Sequence, residues 1–112
     1  MLQTVVETPT FIRRAEKLLS SEEHEALIVC LAVHPAAGDE IVGTGGVRKL
    51  RFAAKGKGKS GGVRVIYYFY DRAIPIYALL LYGKGERADL TPDERKSVAA
   101  FAAAIKATRK RR

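Results

Sequence analysis

Residues 47–70 read VRKLRFAAKGKGKSGGVRVIYYFY, two runs of alternating character around a loop of glycine and lysine. The pattern predicts a β-hairpin with strands near 47–53 and 62–70. Strand side chains alternate faces, so parity sorts them. In the first strand Leu50 and Phe52 share one face, and Lys49 and Arg51 the other. In the second, Val63, Val65, Tyr67 and Phe69 oppose Arg64, Ile66, Tyr68 and Tyr70. One face is apolar enough for a core. The other gathers Lys49, Arg51 and Arg64, with Tyr68 nearby. Two readings fit that second face: a surface for a polyanion, or the solvated outside of an antiparallel sheet.

On either side of this hairpin the chain alternates helix and strand signals. Residues 2–7, LQTVVE, read as a short first strand. Thr8-Pro9 is a helix start, a hydroxyl cap followed by proline. Phe11, Ala15, Leu18 and Leu19 form one apolar stripe. Ser20 with Glu23 matches a capping box and opens a second helix to about Val33. His34-Pro35 ends it. Residues 35–46, PAAGDEIVGTGG, are a glycine-rich loop or an irregular strand around Glu40–Val42. After the hairpin, Ile74–Tyr82 is a strand apolar on both faces, hence central and covered on both sides. Thr91-Pro92-Asp93-Glu94 starts a last helix with Val98, Phe101, Ala102 and Ile105 inward. The order is β-α-α-β-β-β-α. That predicts an α+β domain: an antiparallel meander sheet, an N-terminal helical hairpin and a C-terminal helix, with the helices on one face.

The 112 residues fit one domain, taken as 1–108, with a basic tail at 109–112. Twenty lysines and arginines against 12 acids give a net charge of +8. Such a charge calls for an anionic partner. One cysteine, Cys30, lies in an apolar run and reads as core, which excludes an internal disulfide and fits a reducing cytosol. There is no signal-peptide pattern and no apolar run of membrane-spanning length, so the expected location is cytoplasmic, with no membrane partner.

Several motifs mislead. Residues 56–63 match GxGxxGxV, but the chain is too short for a kinase and has no HRD or DFG. Gly58-Lys59-Ser60 lacks the first glycine of a P-loop, and a strand follows instead of a helix. The loop stays a cationic linker that either touches phosphates or keeps the hairpin soluble. His24 and His34 have no second ligand type nearby and read as surface histidines, so no metal and no cofactor are expected. No serine or cysteine triad can be assembled.

Three stretches together resemble the RelE/ParE superfamily of small bacterial toxins, and within it the HigB-like branch. They are TVVETPTFIRRAEKLLS at 4–20, GGVRKLRFAAKGKGKSGGVRVIYYFY at 45–70 and YALLLYGKGERADLTPDERK at 77–96. The resemblance covers most of the chain, and its middle motif is the specific one. It implies a toxin of a type II toxin–antitoxin system, a metal-independent, ribosome-dependent messenger-RNA endonuclease. It also implies a cognate antitoxin, often with a DNA-binding helix-turn-helix, and the ribosome and messenger RNA as partners. Carried over, the RelE-type basic pair falls on Lys49 and Arg51, the phosphate-binding arginine on Arg64 and a lysine after the last strand on Lys84. These four are the expected catalytic residues. Arg48, Lys55, Lys57, Lys59, Tyr68, Tyr82 and Arg87 are expected to contact RNA. The chain departs from the pattern at Gly85, where RelE-type toxins carry arginine. It departs again at Leu90 or Thr91, where they carry a catalytic tyrosine. Acid–base work then falls to Lys57, Lys59, Tyr68 or Tyr82, or the activity is weaker or lost. Two other readings compete: a ParE-like toxin acting on DNA gyrase, and a non-enzymatic basic module that binds nucleic acid.

Overall fold

The computed structural model describes residues 2–54 and 62–110. Five strands and three helices follow in the order β1 (Val5–Glu7), α1 (Pro9–Leu18), α2 (Ser21–Val33), β2 (Asp39–Glu40), β3 (Val47–Phe52), β4 (Val63–Tyr68), β5 (Ile76–Gly83) and α3 (Pro92–Lys110). They form one sheet of order β1-β5-β4-β3-β2. The meander β3-β4-β5 is antiparallel, as expected from the sequence. Two edge strands extend it: β1 runs parallel to β5, and the two-residue β2 pairs antiparallel with β3.

The helix starts follow their caps. The Thr8 hydroxyl accepts from Phe11 N, with Pro9 opening α1. Ser20 and Glu23 form the capping box of α2. Both donors would otherwise be orphaned at the helix end.

The helices do not share one face of the sheet. The α1–α2 hairpin covers one side, packing Phe11, Leu18, Leu27 and Leu31 on Val63, Val65, Tyr67, Ile76, Ala78 and Leu81. Helix α3 covers the other: its Val98 and Ala102, with Leu90 from the loop before it, pack on Val47, Ile66, Tyr68, Leu80 and Tyr82. The physical reason lies in β4 and β5: both faces of each are apolar, so each face needs a cover. Strand β5 also changes parity. Tyr67 pairs with Ala78 but Ile66 with Leu80, leaving Leu79 as the extra residue of a β-bulge. Its carbonyl accepts from the Thr8 hydroxyl at 3.1 Å, so the bulge does not orphan it. The bulge turns Ile76, Ala78 and Leu81 toward one core and Leu80 and Tyr82 toward the other.

The proposed tail boundary at 108/109 falls inside α3, which continues through Lys110. Arg109 pairs with Asp71 at 3.4 Å and is not loose. Among the described residues no helix is long and apolar enough to cross a membrane.

Candidate functional site

The hairpin register brings the expected cations together. Arg51 and Arg64 are direct partners across β3 and β4, and Lys49 faces Ile66 two residues along. Arg64 in turn faces Tyr82 of β5. The three cations lie on the sheet face that α3 covers, beside the apolar cluster of Val47, Ile66, Tyr68 and Tyr82, with Lys49 and Arg64 half-buried and Arg51 exposed. A concave opening of about 410 Å³ forms there, lined by Lys49, Arg51, Arg64, Lys84, Gly85, Arg87 and Ala88. All four expected catalytic residues line this one cleft.

The loop after β5 is fixed from outside the cleft. Glu86 accepts from Gly83 N and from the Arg14 guanidinium of α1, while Arg14 Nε donates to Leu81 O at 3.0 Å. Lys84 N donates to Gly62 O at 3.2 Å, tying the loop to the start of β4. Lys84 is thereby carried to the cleft on a braced turn. Arg14 and Glu86 were not expected here. Nothing in strand or helix periodicity links residues 72 positions apart.

The cations differ in what answers their charge. Among the described residues no carboxylate pairs with Arg51, Arg64 or Lys84. Lys49 reaches Asp89 at 3.9 Å, and Asp89 also meets Arg95 at 3.5 Å. Arg87 pairs with Glu94 at 2.6 Å and lies over the Tyr82 ring at 4.8 Å. Uncompensated arginines at a concave surface attract an anion. Their planar forks suit phosphate oxygens, two bonds at a time.

Three expected RNA contacts do not line the cleft. Tyr68 is 1% exposed beneath α3. Tyr82 is fully buried; burial first, then Asp89, pushes its phenol above the usual tyrosine range, against the pull of Arg87 and Arg64. Its hydroxyl lies 3.5 Å from Ala88 O. A buried, firmly neutral phenol is no proton acceptor. Arg48 points to the other face, where it donates to Ala36 O and Gly38 O and meets Glu40 at 3.6 Å. Lys55, Lys57 and Lys59 lie outside the described residues. Leu90 is buried in the α3 core. Thr91 caps α3: its hydroxyl accepts from Glu94 N at 3.1 Å. Neither position replaces a tyrosine in the cleft.

The histidines serve elsewhere. His24 Nε2 is bonded to Glu7, joining α2 to β1, and His34 is the C-cap of α2. Among the described residues no group of three histidine, cysteine or acidic side chains is placed to hold a metal ion.

A family model described as RelE toxin of the RelE/RelB toxin–antitoxin system matches residues 5–112. A solved structure of a free-state mutant of the E. coli toxin RelE superposes with a TM-score of 0.57 at 21% identity, covering 90% of this chain and 97% of that one. At that identity the likeness is one of fold.

Proposed function

Because the chain belongs to the RelE toxin family of the RelE/RelB toxin–antitoxin system, we propose that it is a ribosome-dependent endonuclease that cleaves messenger RNA in the cytoplasm and stops translation. The observation that carries this reading is the Arg51–Arg64 pair, placed opposite in register with no carboxylate between them among the described residues. The antitoxin, on this reading, carries a helix-turn-helix and neutralises the toxin.

The chemistry follows from RNA. The 2′-oxygen attacks phosphorus, the bond from phosphorus to the 5′-oxygen breaks, and the products are a 2′,3′-cyclic phosphate and a 5′-hydroxyl. Arg64 and Arg51 hold the phosphate oxygens, and their charge counts most as negative charge grows in the transition state. Both are permanently charged and move no proton. Lys49 and Lys84 flank Arg64, one carried on β3 and one just after β5. They are assigned the two proton transfers: one lysine takes the 2′-hydroxyl proton, the other protonates the 5′-oxygen. The cleft offers little to read a base sequence, so the ribosome must present the messenger.

Primer extension on a translated messenger tests this, with toxin binding to ribosomes measured in parallel. Cuts within codons are expected, falling by about 10²-fold or more in Arg64→Ala with ribosome binding retained. Equal cleavage by Arg64→Ala would remove Arg64 from the mechanism. Growth arrest without cuts, with gyrase inhibited, would favour a ParE-like target.

A further inference from the structure

Arg87 is held unlike the other cations of the cleft. Its guanidinium carbon lies 4.8 Å from the centroid of the Tyr82 ring. Its Nη1 donates to Glu94 Oε1 at 2.6 Å. Both supports are themselves tied into the fold. Tyr82 is fully buried and sits opposite Arg64 in the sheet. Glu94 closes the cap of α3, accepting from Thr91 N at 2.9 Å while its own N–H donates to Thr91 Oγ1 at 3.1 Å. The charge of Arg87 is therefore answered inside the protein, and its guanidinium is held between a ring and a carboxylate. Side-chain exposure is still 27%, and the exposed part lines the cleft beside Arg51 and Arg64.

Those properties make Arg87 a poor phosphate ligand. An arginine already committed to a carboxylate gains little from a second anion. A clamped guanidinium plane is, by contrast, a good stacking surface, because splayed RNA bases lie on arginine planes as readily as on aromatic rings. We propose that Arg87 is a nucleobase platform: it stacks the base of a nucleotide adjoining the phosphate that Arg51 and Arg64 hold. The cations of β3 and β4 grip the backbone, and Arg87 fixes the sugar–base unit beside it. Every base has a π face, so this contact sets position and tolerates sequence. Glu94 and Tyr82 are positioning residues for it. The inference rests on the ribonuclease reading above and adds the class of group that this part of the cleft takes.

Cleavage of messenger on programmed ribosomes tests it, using messengers in which each nucleotide flanking the cut is in turn abasic. The wild-type protein should cut one of the two abasic messengers about tenfold more slowly than the intact one, the size of one lost stacking contact. Arg87→Lys keeps the charge and loses the plane. It should cut the intact and abasic messengers at the same rate, with the salt dependence of ribosome binding unchanged. If Arg87→Lys discriminates as strongly as the wild type, the stacking partner is elsewhere and the inference falls. If the wild type cuts all three messengers equally, the inference falls while the ribonuclease reading stands. If the wild type cuts none, both fall.

Discussion

Arg51 and Arg64 stand directly opposite each other in the β3–β4 ladder, two like charges where a sheet favours opposite ones. Like charges facing across a ladder are destabilising by some tenths of a kcal/mol. The fold keeps the pair although nothing in its packing requires it, which is the behaviour of a site and not of a scaffold. Arg51→Gln should therefore stabilise the protein by about 0.5 kcal/mol in urea titration while lowering messenger cleavage about 10²-fold. A destabilised variant would mean that Arg51 is held by contacts its register does not reveal.

Two neighbouring tyrosines should answer in opposite ways to loss of the hydroxyl. Tyr67 donates to Pro35 O and accepts from Gly38 N, both at 2.8 Å and both buried. Tyr67→Phe orphans two backbone groups and should cost about 2–3 kcal/mol. The Tyr68 hydroxyl is buried with no partner among the described residues. Tyr68→Phe should be neutral or stabilising by up to about 1 kcal/mol. Thermal melting of the two variants at one pH checks both signs at once. A comparable loss in each would show that the Tyr68 hydroxyl has found a partner.

Much of this was legible in the sequence where a period is strict. The two-residue period of a strand places Lys49, Arg51 and Arg64 on one face without any coordinates, and the caps at Thr8, Ser20 and Thr91 announce their helices. The period fails where both faces carry the same chemistry. In β5 the residues at 76–82 are apolar in both registers, so no pattern marks Leu79 as the bulged residue. The same ambivalence hid which face α3 would cover. Tyr68 and Tyr82 share their strand faces with Arg64, and parity alone does not show that α3 lies over the tyrosines. The contacts that finish the site, Arg14 with Glu86 and Arg87 with Glu94, join side chains whose elements meet only in the folded chain.

Gly85 is the departure from the RelE-type pattern that the cleft can repair. A Cβ built there meets no atom within 4 Å, and the backbone does not need a left-handed conformation. Gly85→Arg should fold with stability within about 0.5 kcal/mol of the wild type. It places a further cation at the rim of the opening, where charge builds on the phosphate. Single-turnover cleavage should rise about tenfold. An unchanged rate would show that the existing arginine pair already saturates the electrostatic demand.

Glu94 links the stability of the molecule to pH through the same contacts that brace Arg87. Burial alone would raise its carboxyl, but the hydrogen bonds from Arg87 and from Thr91 N, with the charge of Arg87, hold it below its usual value of 4.5. A carboxyl depressed by folding contributes stability that is complete above the unfolded pKa and disappears as pH falls through the lower, folded one. Glu94→Gln separates this from capping, since glutamine at the third helical position still closes the box. What the variant loses is the ion pair. In urea titrations it should be less stable than the wild type by about 1 kcal/mol at pH 7. The gap should hold down to about pH 4.5 and close below it as Glu94 protonates. A gap that stayed constant through that range would mean that the carboxylate is held by its shape and not by its charge. Arg87 would then lack the fixed counter-ion on which its orientation in the cleft depends.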